Sequence, residues 1–188
     1  MRMEEVELAP YIGRRRAERH SSVLYRQPID KSELVKISRS RDHTMYKTPN
    51  RTGRVRFYAV NDGTDLVDMT VDGSMSRKGK HDIFKINVLN GRTGSSLKAY
   101  QFYRNILLGS PIIFVSDTQS YGGLRTWQEL SRYPDIEVFG WLNGKPVNIS
   151  PLDSDETHAD IDDVGSDREI RDVFNTKLVA HRKIKSRG

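Results

Sequence analysis

The sequence predicts a mixed α/β domain: a largely antiparallel sheet with one central parallel strand pair, flanked by helices. Three observations lead there. Val55, Phe57 and Ala59 alternate with Arg54, Arg56 and Tyr58, and Asn61-Asp62-Gly63 then turns the chain back on itself, as in an antiparallel hairpin. Residues 82–117, DIFKINVLNGRTGSSLKAYQFYRNILLGSPIIFVSD, follow the order strand, glycine-serine turn, amphipathic helix, apolar strand,. A second helix and a further strand come after Asp117. Strands joined through helices run parallel, whereas hairpin-joined strands do not, so the sheet must be mixed rather than doubly wound.

Each element has a local cause. Residues 1–53 form a basic N-terminal segment packed on the domain, with Arg14, Arg15, Arg16, Arg19 and His20 as a basic arm. Asp30 is placed to cap a short helix that runs to about Ile37,. Residues 48–53 are a loop. The core spans 54–150. Its first strand has one solvated face carrying Arg54, Arg56 and Tyr58, and residues 66–71 return beside it,. Residues 72–81 are polar and contain glycine, which predicts a loop,. Ile83, Phe84, Ile86 and Val88 make the next strand, and Gly91-Arg92-Thr93-Gly94-Ser95-Ser96 interrupts it. Leu97, Tyr100, Tyr103 and Leu107 lie at helical spacing, and Ile112-Ile113-Phe114-Val115 is β-rich,. Ser116, Thr118 or Ser120 caps a second helix whose Leu124, Trp127 and Leu130 share a face,. Tyr133-Pro134-Asp135 ends it, residues 136–141 form a strand, and Asn143-Gly144 is a turn. The remainder, 151–188, comprises an acidic loop over 153–169, a helical turn near 168–174 and a closing strand at 176–181.

Composition narrows the function classes. At 188 residues, 36% hydrophobic and 30% charged, the chain is one domain with a real but modest core,. It contains no cysteine, which excludes disulfides and thiolate metal sites and fits a reducing cytoplasm,. No apolar run reaches the ~18 residues of a membrane span. The start, MRMEEVELAP, lacks the apolar centre of a signal peptide,. The net charge of +6 is uneven: residues 1–60 carry 14 Lys/Arg against 7 Asp/Glu, while residues 151–170 carry 8 Asp/Glu against one Arg. A basic surface of this kind steers nucleic acid, an acidic protein or an anionic cofactor.

The chemistry centres on the turn at 91–96. A strand-turn-helix unit aims backbone N–H groups and the positive end of a helix at one spot, which suits a phosphate. Other motifs are missing. There is no Gly-x-x-x-x-Gly-Lys-Ser/Thr and no Gly-x-Ser-x-Gly,. His20, His43, His81, His158 and His181 show no metal-ligand spacing. Asp153, Asp155, Glu156 and His158 lack the glycine and terminal glutamate of a calcium loop, so no metal is expected,.

The stretch from Arg54 to Trp141, about half the chain, resembles the GNAT N-acyltransferase superfamily, particularly its divergent members from bacteriophages. In that family an antiparallel meander leads into a strand, and a turn of pattern Gln/Arg-x-x-Gly-x-Gly/Ala binds the acyl-CoA pyrophosphate through backbone amides. A helix, a splayed strand and a second helix follow. Here Gly91 stands at the Gln/Arg position, Gly94 matches, and Ser96 replaces Gly/Ala. The resemblance implies acetyl-CoA as cofactor, contacted by Gly91, Arg92, Thr93, Gly94, Ser95 and Ser96. Amides near Leu89 and Asn90 would hold the acyl oxygen. Tyr121 or Tyr133 would be the acid and Asp117 the base, with His81 and Asp82 as other candidate bases. The acceptor would be an amine of a protein or small molecule in the cytoplasm, that of a bacterial host for a viral chain. The same fold without catalysis would bind a host protein or nucleic acid through the basic N-terminal half, as an inhibitor or virion component. A third expectation is a nucleic-acid module using Arg14, Arg15, Arg16, Arg54 and Arg56 with Phe57 and Tyr58.

Overall fold

A computed structural model describes residues 27–117, 121–142, 145–147 and 177–183. Among them nine strands make one sheet: β1 (Val35–Arg39), β2 (His43–Lys47), β3 (Arg54–Asn61), β4 (Val67–Lys78), β5 (His81–Gly91), β6 (Ile112–Ser116), β7 (Ile136–Leu142), β8 (Lys145–Val147) and β9 (Lys177–Arg182). Two helices interrupt them, α1 (Ala99–Gly109) and α2 (Tyr121–Ser131). The spatial order is β1-β2-β3-β4-β5-β6-β9-β7-β8. Only β5 and β6 pair in parallel; every other described pair is antiparallel. The mixed, mostly antiparallel sheet expected from the sequence is therefore present, and the closing strand expected at 176–181 is β9.

Three expectations need correction. Asp30 starts no helix. Its carboxylate accepts the Ser32 amide at 2.9 Å and the Leu34 amide donates to the Lys31 carbonyl at 3.0 Å, a tight turn feeding β1. Asp is as fit for such a turn as for a cap, and the β-branched Val35 and Ile37 then favour pairing with β2,. The strands β1 and β2 thus belong to the same sheet as β3. Second, residues 72–81 are no loop. β4 continues to Lys78, and Gly79, at φ +61°, with Lys80 makes a two-residue turn into β5,. Third, Tyr58 is buried rather than solvated. With Val60 and Val67 it forms a small second cluster that also receives Ile29, Leu34 and Tyr46.

The main core lies between the other sheet face and the two helices. Phe57, Phe84 and Phe114 come from three strands and meet with centroids 4.8 to 6.1 Å apart. Tyr103 of α1 meets Phe114 edge-on at 5.3 Å and Trp127 of α2 at 6.1 Å. Phe102, Tyr103, Ile106 and Leu107 are the buried stripe of α1, at the spacing of one helix face,. Each such side chain contributes about 1.5–3 kcal/mol on burial. Two glycines let backbone approach closely. A Cβ on Gly109 would sit 2.6 Å from the Ser38 Cβ and 2.9 Å from the Ile37 carbonyl, so the end of α1 rests on β1. A Cβ on Gly73 would sit 2.2 Å from the Lys85 carbonyl and 2.5 Å from the Phe84 ring.

Gly73→Ala is therefore expected to cost about 3 kcal/mol or more, since neither the backbone carbonyl nor the central ring can yield cheaply. Gly91→Ala, whose Cβ would meet only the Met69 side chain at 3.6 Å, should stay within about 0.5 kcal/mol of wild type,. Urea unfolding of the two variants checks both.

Candidate functional site

β5 and β6 keep company for only part of their length. Residues 82–85 pair with residues 112–115, and no β6 partner follows along β5 from Ile86 to Gly91. The break coincides with an irregularity on the other edge of β5. Gly73 of β4 faces Ile86 while Asp72 faces Val88, so Asn87 is an extra residue. A bulge bends and further twists its strand; β6 itself ends at Ser116, one residue after its last pair with β5. The backbone of β5 beyond Ile86 is left without a strand partner on that side, among the described residues.

The turn at the end of this open edge is tied down from beneath. The Arg92 amide donates to the Asp68 carbonyl at 2.8 Å, and the Ser95 amide to the Arg92 carbonyl at 3.1 Å. The Ser95 hydroxyl accepts the Leu97 amide at 3.1 Å, and the Gln101 side chain accepts the Lys98 amide at 3.0 Å at the start of α1. Among the described residues the amides of Thr93, Gly94 and Ser96 have no acceptor. Gly94 adopts φ +81°, a conformation that favours glycine, and a Cβ there would meet nothing within 4 Å,. The turn thus offers amides to open space. Its one cation is committed elsewhere: Arg92 places Nε and Nη2 at 2.6 and 2.5 Å from Asp68 Oδ1.

Asp68, 1% exposed on β4, holds a second partner. Its Oδ2 lies 2.7 Å from Nε2 of His43, itself 3% exposed on β2. Burial pushes the Asp68 carboxyl up, but His43, Arg92 and Ser95 together outweigh it and hold it below the usual carboxylate range,. Little in the local residue pattern marks this cluster. His43 lies in the poorly patterned N-terminal part, and Asp68 reads as one polar residue in a returning strand. The one available signal was a carboxylate between Val67 and Met69, where alternation leads to a buried face.

The other expected residues are scattered. Leu89 is half-buried and packs on the main core, opposite Val71. Asp117 follows β6 and sits between Lys85 and Lys177. The Lys85 contact, more than burial, keeps its carboxyl below the ordinary value. Tyr121 opens α2 with its side chain outside the described residues, as are Thr118 and Ser120. Tyr133 is held elsewhere, with the Arg104 guanidinium 4.5 Å from its ring centroid and Arg104 in turn clamped on Asp135 at 2.6 and 3.1 Å. An open pocket of about 370 Å³ brings Tyr133 together with Ser96, beside Arg41, His43, Gln101 and Arg104. No residue of β5 or β6 lines it, and Ser96 is where it meets the turn at 91–96. His81 and Asp82 lie at the first end of β5, opposite the turn, and cannot serve a site there. Phe57 and Tyr58 are buried and Arg56 is paired with Asp72, so they form no stacking surface for bases. The basic arm at 14–16 and the acidic stretch at 153–169 lie outside the described residues, among which no group of three or more metal-ligating side chains occurs and no helix is long and apolar enough to cross a membrane. Neither a scan of protein-family models nor a search of curated proteins gives a match to this chain.

Removing one partner of a buried charge pair strands the other, so Asp68→Asn is expected to cost about 3 kcal/mol at neutral pH. Because the folded Asp68 titrates below its unfolded value, its contribution is complete above the ordinary carboxylate range and vanishes as pH falls through the folded value,. Urea unfolding over a descending pH series should show a shallower acid loss in Asp68→Asn than in wild type.

Proposed function

We propose that this chain is a GNAT-like N-acyltransferase that passes an acetyl group from acetyl-CoA to an amine of a protein or small molecule. The observation that carries the reading is the open edge of β5 beyond its last pair with β6, Lys85 with Val115, with a turn of unpaired amides at its far end. An open strand edge takes an extended amide-bearing chain by adding hydrogen bonds to it, which suits the pantetheine arm. The amides of Thr93, Gly94 and Ser96 suit the pyrophosphate.

Acetyl-CoA, when bound, supplies an acyl thioester. The chain's own groups do the rest. Amides of β5 near Leu89 and Asn90 hold the acyl oxygen as charge gathers on it. Asp117, kept ionised by Lys85 and Lys177, is near enough to the end of β6 to take a proton from the acceptor ammonium through water,. Tyr121, four residues on at the start of α2, is the candidate to return a proton to the leaving thiolate. Tyr133 lines the pocket beside Arg104 and has no part in this scheme. A second reading is favoured by one observation: Gly91 brings no side chain and Arg92 is spent on Asp68. The turn then binds cofactor weakly, and the fold serves as a non-catalytic binder of a host protein or nucleic acid.

Calorimetric titration with acetyl-CoA separates the two. Binding in the micromolar range is expected for wild type, with at least about tenfold weakening in Ser96→Trp, a substitution at an exposed position beside the free amides,. Gly94 is the wrong place for that block, since its positive φ strains any side chain whether or not a ligand binds. No heat from wild type rules out the acyltransferase reading.

A further inference from the structure

We infer that the tip of the β4–β5 hairpin is a nucleic-acid contact, the centre of a basic sheet end that seats against the phosphates of a duplex. β3 begins at Arg54, opposite Ser74, so Met75, Ser76, Arg77 and Lys78 run on past it. On the other edge β6 begins level with Asp82. On the β3 edge four residues at strand rise run on by about 14 Å, while β6 flanks β5 as far as Asp82, so residues 78–81 stand clear of both neighbours. The ladder stays regular to its last pair, Lys78 with His81, across the two-residue turn, so the projection is stiff. Arg77, Lys78 and Lys80 are all exposed at its tip. The nearest acid, Asp82, stands 3.9 Å from Arg77 with both side chains largely in water, and such a pair contributes little.

Topology brings further cations to the same end of the sheet. The Met75 amide donates to the Gly53 carbonyl at 2.7 Å, which fixes the loop bearing Arg51 beside the hairpin. Arg54 starts β3 there. β9 runs antiparallel to β6, with Phe114 opposite Ala180, so its last residues and Lys183 arrive at this end too. Among the described residues Arg51, Arg54, Lys78, Lys80 and Lys183 have no carboxylate partner. Elsewhere the described cations are mostly matched, as in Arg39 with Asp62, Arg92 with Asp68 and Arg104 with Asp135. Clustered unmatched cations repel one another and lower the energy of a polyanion brought against them.

Size and composition favour a duplex. From β3 to β9 is four strand spacings, about 19 Å,. That row faces several phosphates, at one per ~3.4 Å of each strand. The exposed large apolar side chains among the described residues are Val35 and Trp141, neither on the hairpin, so nothing there anchors in a bilayer. The eleven residues of β5 put this end about 35 Å from the turn at 91–96,. Failure of the contact therefore leaves the acyltransferase reading intact, and the reverse.

The test is fluorescence anisotropy of the full chain with a labelled duplex of about 20 base pairs, in DNA and in RNA, over a salt series. The logarithm of affinity should fall linearly with the logarithm of salt, with a slope of magnitude about 3 to 5. The triple variant Arg77→Glu, Lys78→Glu, Lys80→Glu, all on exposed sites, should weaken binding at least about 100-fold, with a steeper loss at low salt, while its thermal midpoint stays near wild type. The inference is overturned if wild type binds neither duplex at low salt, or if the triple variant binds as tightly. It is overturned equally if poly-glutamate at matched charge displaces the duplex, or if vesicles of anionic lipid bind while duplexes do not.

Discussion

A single carboxylate with almost no access to water organises this molecule. Asp68 sits on β4 and takes its neighbours from β2 and from the turn after β5. Burying that charge is costly by several kcal/mol, and only well-aimed partners offset it. Because the partners come from segments about 24 residues apart in sequence, the requirement locks three regions into one register. The turn cannot shift without stranding the charge, and α1 starts where the turn ends. The aromatic stripe of α1 therefore reaches the central phenylalanines from a fixed direction. The same arrangement removes Arg92 from any ligand. A cation that a phosphate site would use is spent on structure, leaving backbone amides as the attraction.

That division runs through the whole sheet. At the turn end and along the solvated faces several cations are matched: Arg92 with Asp68, Arg56 with Asp72, Lys85 with Asp117. At the hairpin end Arg77 has only the loose, exposed contact with Asp82, and Lys78 and Lys80 have none. Asn87 sets up the contrast from the middle of β5. It adds one residue beside the close approach of Gly73 to Phe84, and it divides the stretch of β5 that pairs with β6 from the open backbone edge beyond,.

What could be read from the residues was whatever had one wet face and one dry face. Val55, Phe57 and Ala59 announced β3, and the spacing of Leu97, Tyr103 and Leu107 announced α1, because burial imposes a period. Where both faces are alike the period disappears. Residues 75–80 project past their neighbours, so their polarity resembled a loop. Tyr58 and Val60 are covered by Tyr46, Ile29 and Leu34, and the strand that supplies Tyr46 was itself obscured by short, mixed patterning. The cluster of His43, Asp68 and Arg92 was hidden for a different reason. Its members meet only through the sheet, and no local spacing marks a contact between residues that far apart. The turn at 91–96 was found because its glycine and serines act locally, but where its arginine points was decided at a distance.

The place of β9 bears on how such a chain is made. Among the described residues β7 has no bond to β6, and the two are joined through β9, the last of the described strands. As the polypeptide leaves the ribosome, β1 to β6 can assemble while β6 still shows a bare row of donors and acceptors. That edge stays adhesive through the synthesis of everything up to residue 177, the period in which a nascent chain is most exposed to wrong partners. Closing the gap is a long-range event, slow by the usual relation of rate to contact separation. The hairpin of β7 and β8 must wait for it, or for a chaperone that shields the edge in the meantime.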